Sequence, residues 1–150
     1  MVPYQLGLGA DRQAVKYSAR PCSLNADTML NQSDPNFLRA ALQDTLNKKD
    51  VCMEFLIQPR TSNKMLVENS MNEWKEDKAP FYKVATIHIP QQVFNTPDQN
   101  KFCENLSFTP WHSLPEHKPL GAINRLRKVI YENISIVRHE MNSAQRQEPK

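Results

Sequence analysis

Glycine is scarce in this chain, with three in 150 residues, at positions 7, 9 and 121. That scarcity excludes flexible glycine-rich linkers. Neither GxGxxG nor a P-loop occurs, so nucleotide-binding loops have no support. No run approaches the roughly 18 apolar residues of a membrane span. The start Met1 to Gly9 carries neither a cationic n-region nor a long apolar h-region. Cysteine is also sparse: Cys22, Cys52 and Cys103 are an odd number with no close pairing. This argues against a disulfide scaffold and a CxxC metal knuckle, and points to reduced, buried thiols. An excess of one charge is missing too, since 19 Lys and Arg are interleaved with 16 Asp and Glu for a net +3. Such a spread makes a weak case for nucleic acid. At 39% hydrophobic content the chain suffices for one domain with a modest core. A soluble, cytoplasmic protein is the expectation.

Proline is plentiful, and its eleven residues divide the chain into segments. Ala14 to Cys22 sets Val15, Tyr17 and Ala19 against Lys16, Ser18 and Arg20, the period of a half-buried strand. Ser33-Asp34-Pro35 offers an N-cap and a first-turn proline, and Phe37, Leu38, Ala41, Leu42, Thr45 and Leu46 recur at helical spacing to about Lys48. Val51 to Gln58 reads as a well-buried strand stopped by Pro59, and Phe81 to Ile89 as a second one stopped by Pro90. Between them Ser62 to Lys78 is a polar excursion anchored by a few apolar residues such as Met65 and Trp74. A short helix is expected over Gln99 to Leu106. Prolines at 110, 115 and 119 then keep Phe108 to Gly121 an extended arm. A helix from Leu120 to Asn142 follows, so residues 1–142 form the domain and 143–150 a disordered polar tail.

That last helix carries the candidate chemistry. At about 100° per residue, Ile123, Leu126, Ile130, Ile134, Val137 and Met141 form one apolar stripe, expected to be buried. Arg127, Tyr131 and Arg138 fall together along one edge of it. A rim tyrosine packs its ring and keeps its hydroxyl wet, and helix-surface arginines are ordinarily solvated or weakly paired. The chemical alternative is a phenolate ligand to a metal. Ionising a phenol at pH 7 costs about 4 kcal/mol. A ferric ion, together with Arg127 one turn away, favours the charged form. Arg138, two turns further on, suits a carboxylate such as a haem propionate. The histidines His88, His112, His117 and His139 form no usual zinc-ligand spacing. No local signature assembles a Ser-His-Asp or Cys-His arrangement.

The segment from Asn105 to Tyr131 resembles the haem-proximal region of the catalase superfamily. It is closest in kind to bacterial catalase-related proteins, whose arm has the Phe-x-Pro-Trp-His core seen at Phe108 to His112. The likeness continues through Pro119-Leu120-Gly121 and Arg125-Leu126-Arg127. The proximal motif of that superfamily is an arginine, three residues, the tyrosine ligand, and a second arginine seven residues later. Arg127, Tyr131 and Arg138 match it in identity and spacing. The resemblance implies haem b with Tyr131 as axial iron ligand, Arg127 as the phenolate's partner and Arg138 as a propionate contact. It also implies an α+β fold containing the later strands of a catalase-type antiparallel barrel, with inserted helices, the arm and the proximal helix. The superfamily's distal histidine and asparagine have no matching motif here, so no catalytic residue is assigned within this chain. The chain is therefore expected to be the C-terminal, proximal part of a longer protein, with an open sheet edge.

Two functions from different classes follow. One is a haem-binding, catalase-related protein that decomposes hydrogen peroxide or an organic peroxide in its complete form. The other is a non-catalytic remnant or scaffold with at most weak haem affinity. A small basic interaction module rests only on the net charge. A homo-oligomer is left open.

Overall fold

The computed structural model describes residues 1–22 and 34–147. Its strands are β1 (Pro3–Leu6), β2 (Gln13–Pro21), β3 (Val51–Pro59) and β4 (Tyr82–Ile89), and its helices α1 (Phe37–Lys48), α2 (Pro97–Glu104) and α3 (Gly121–Met141). The strands form one antiparallel sheet in the order β1-β2-β3-β4. A mixed α+β architecture is thus established. No described helix is long and apolar enough to cross a membrane.

Each element has a local cause. The β1–β2 connection turns through Gly7, at φ 84°, and Gly9, at φ 66°. Asp34 Oδ1 accepts from the Asn36 N–H at 2.8 Å, and Asn36 is the N-cap of α1, so the helix starts three residues later than a cap at position 33 implies. Ser33, the expected cap, lies outside the described residues. Helix α2 begins with a capping box in which Thr96 accepts from the Gln99 N–H and Gln99 returns the bond, with Pro97 opening the first turn. It starts two residues ahead of the expected Gln99.

Burial departs from the sequence expectation in three places. Strand β4 is exposed along almost its whole length, including Tyr82 at 53% and Val84 at 52%, where a buried strand was expected. An apolar strand reports a face that prefers cover, and among the described residues β4 forms the sheet's edge. The outer edge of β1 is covered instead: Gln5 N–H donates to Lys118 O at 2.8 Å and Leu120 N–H to Pro3 O at 3.0 Å. The second departure is the α3 stripe. Leu126, Ile130, Ile134, Val137 and Met141 are all at least 40% exposed, while Gly121, Asn124, Ser135 and His139 are buried. The helix docks by its polar side.

Hydrogen bonds explain that docking. Asn124 Nδ2 donates to Pro3 O and to Leu120 O, each at 2.9 Å, and the Trp111 indole donates to Asn124 O at 2.7 Å. Near the other end, His139 Nε2 lies 2.8 Å from Asn105 O, and the Ser135 hydroxyl donates to Ser107 Oγ at 3.0 Å. The third departure is the C-terminal segment. Ser143–Gln147 runs back along the arm, with Ser107 N–H donating to Gln147 O at 2.8 Å, where a disordered tail was expected. Residues 148–150 lie outside the described residues.

Among the described residues the buried apolar core is small: Val15, Leu46, Leu56, Met65, Trp74, Ala79 and Leu106. Within the excursion, Met65 and Trp74 are the anchors, packed with Ala79 and flanked by Val67, whereas Leu66 and Met71 are exposed. Gln58, 1% exposed, stitches them to the sheet by donating to Trp74 O at 2.7 Å and Ala79 O at 2.9 Å. Lys16 Nζ sits 4.4 Å from the Trp74 ring centroid.

Candidate functional site

Tyr131 lies on the shoulder of α3, between its docked polar side and its open apolar side, and is 39% exposed. It lines a hollow of 260 Å³ with Ser107, Phe108, Ile134, Ser135 and Arg138. The structure therefore brings Tyr131 and Arg138 to one surface. Arg138 Nη2 donates to Leu106 O, which ties the helix to the arm. Its Nε is buried and has no hydrogen-bond partner among the described residues. Arg127, half-buried one turn before Tyr131, instead lines a separate hollow of 340 Å³ with Tyr4 and Tyr17. The expected trio is thus split, with two members at one hollow and the third at the next.

Around that second hollow the Tyr17 hydroxyl lies 2.9 Å from His117 Nδ1, and its ring stacks on Phe55 and tilts against Tyr4. Burial, and secondarily Tyr4, raises the Tyr17 phenol above its ordinary value of 10.0. His112 is engaged elsewhere, 3.2 Å from Arg146 Nη2. Among the described residues no group of three or more His, Cys, Asp or Glu side chains is placed to hold a metal ion.

The fit to haem is a different question, because a porphyrin supplies four nitrogens and asks the protein for an axial donor. An exposed phenol beside a guanidinium, on an open apolar helix face, fits one side of such a group. The 260 Å³ hollow is smaller than the roughly 300–1,000 Å³ of ordinary ligand pockets.

A second constellation was not legible as a motif. Cys22 and Cys52, expected to be reduced and buried, are joined in a disulfide with Cα atoms 5.6 Å apart, and Cys103 is exposed. The β2–β3 register sets Pro21 against Met53, so Cys22 falls opposite Cys52, and Cys22 N–H donates to Cys52 O at 3.1 Å. Across the other ladder Cys52 is in register with His88. His88 Nε2 lies 3.0 Å from Asp50 Oδ2, and Asp50 Oδ1 accepts from the Gln91 N–H at 2.7 Å. These bonds, the backbone one foremost, hold the Asp50 carboxyl below its ordinary value. Strand register could have revealed the row, since these residues lie 30 and 36 positions apart in the chain.

No protein-family model and no curated protein matches the chain.

Proposed function

We propose that this chain is the iron-holding, proximal part of a catalase-related haem protein acting on hydrogen peroxide or an organic hydroperoxide. Tyr131 is the axial oxygen donor to haem b. One observation carries the reading: the phenol sits half-exposed on the shoulder of an open apolar face, with Arg138 lining the same hollow. A porphyrin is a flat apolar plate edged by two carboxylates, and Ile130 and Ile134 beside Tyr131 offer it a wall. The Arg138 guanidinium offers a propionate its remaining donors. When bound, the iron supplies the redox chemistry of peroxide cleavage. This chain's own residues hold the iron from one side and orient the plate. The four-stranded sheet, in the same reading, corresponds to later strands of a catalase-type barrel.

Haemin titration tests the assignment. Removal of the axial donor in Tyr131→Phe weakens haemin binding by at least about tenfold, the scale of 1.4 kcal/mol. Equal affinities with identical spectra contradict the ligand role. A scaffold with weak haem affinity is favoured by a different observation, the commitment of Arg138 Nη2 to Leu106 O. Oxygen release from peroxide by the haem-loaded chain rules that reading out.

A further inference from the structure

Cys22, the residue after β2, lies in one row with Cys52 of β3 and His88 of β4. In antiparallel pairs, directly opposed residues share a face, with Cβ atoms about 4.5–5.5 Å apart. Cys22 is exposed and Cys52 half-buried, so small solutes reach the pair. Asp50 accepts the Nε2 proton of His88 at 3.0 Å and leaves the Nδ1 lone pair as a base. The charged groups two residues along the same face have partners of their own: Lys83 pairs with Glu54 at 3.0 Å, and Arg20 with Glu76 at 3.3 Å. The Asp50–His88 pair thus stands at the register position opposite Cys52. A histidine beside a cysteine raises the thiolate fraction, and the thiolate is the nucleophile.

We propose that Cys22 and Cys52 are a peroxide-reactive thiol pair, with Cys52 attacking, Cys22 resolving and His88 positioned by Asp50 to take the thiol proton. The substrate class is hydrogen peroxide or a small organic hydroperoxide, and the proposal does not depend on haem. In the first step the Cys52 thiol passes its proton to His88 Nδ1. The thiolate attacks one peroxide oxygen, an S–O bond forms, and the O–O bond breaks. The departing oxygen takes the proton back from His88 and leaves as water or an alcohol. In the second step the Cys22 sulfur attacks the sulfenic sulfur, the S–S bond forms, and hydroxide leaves with the Cys22 proton as water. Two thiols lose two electrons and the peroxide gains them. A small dithiol returns the pair to thiols by exchange and becomes a disulfide itself. The disulfide seen here is the oxidised product.

The test uses the full 150-residue chain without haem, reduced with dithiothreitol and desalted. One equivalent of hydrogen peroxide, or of tert-butyl hydroperoxide in parallel, should lower the free thiols from three per chain to one, and dithiothreitol should restore three. Cys22→Ser should accumulate a dimedone-reactive sulfenic acid on Cys52, whereas Cys103→Ser should behave as wild type. His88→Gln should slow peroxide consumption about tenfold, the effect of moving a thiol by one pKa unit. It should also shift the pH profile of Cys52 alkylation by iodoacetamide to higher pH, with the far-ultraviolet spectrum unchanged. Should Cys52 react at the rate of Cys103, or His88→Gln leave rate and profile alone, the pair is a structural cross-link and the proposal fails.

Discussion

At the scale of single residues, three positions carry more of the structure than their exposure suggests. Asn124 is fully buried and joins β1, the arm and α3 through its amide donors. Asn124→Ala leaves two carbonyls without those donors, so urea unfolding should show a loss of about 1–3 kcal/mol. A change under about 0.5 kcal/mol would mean that water replaces the amide. Gly121 opens α3 at φ 84°, and a Cβ there would stand 2.5 Å from Val67 O. Gly121→Ala therefore combines backbone strain with a clash against backbone, and thermal unfolding should fall by the equivalent of about 1–3 kcal/mol. Tyr17 gives a prediction in pH. Its phenol is raised above 10.0, so the folded state holds the proton more tightly than the unfolded one. The associated stability is complete below the unfolded value and is lost as pH rises through the folded one. Absorbance titration of the phenols should show a late-ionising tyrosine that Tyr17→Phe removes, and an unchanged late phase would assign it elsewhere.

At the scale of elements, type was legible where local chemistry decides it. The alternation around Val15 and Tyr17, the helical recurrence from Phe37 to Leu46, and the stops at Pro59 and Pro90 all coincide with element bounds. Strand β1, four residues long, was not read from the sequence at all, because Pro3–Leu6 is too short to display a period. Cover was the harder quantity. A hydrophobic stripe reports which face prefers burial and says nothing of what lies against it, and in α3 polar anchors at Asn124, Ser135 and His139 set the docking instead. The orientation is testable by exchange of the two faces. Val137 is 53% exposed, so Val137→Gln should change stability by less than about 0.5 kcal/mol in this chain. His139→Leu should cost more, because Asn105 O loses the ring partner that lies 2.8 Å away. The reverse order would place the apolar stripe inside.

At the scale of the whole molecule, long-range pairings hold together a chain whose apolar core is small. The Cys22–Cys52 bond closes a separation of 30 residues, for which chain entropy gives about 3–4 kcal/mol. Reduction should lower the urea midpoint accordingly, and an unchanged midpoint would show that the β2–β3 ladder alone sets that contact. Neither this pairing nor the Cys52–His88 row was legible from the chain order, because register across three strands creates both. The candidate haem site was legible differently: Tyr131 and Arg138 follow from helical spacing and do meet at one hollow, while the side chain of Arg127, equally well spaced, turns to the neighbouring one. Spacing fixes the side of a helix and leaves open the direction of a long side chain. The central claim, that Tyr131 is an iron ligand, is tested most directly by resonance Raman spectroscopy of the ferric haemin complex, excited in the phenolate-to-iron charge-transfer band. The account predicts phenolate modes that Tyr131→Phe abolishes and that Tyr4→Phe, Tyr17→Phe and Tyr82→Phe retain. Their survival in Tyr131→Phe, or their absence from the wild-type complex, would contradict it.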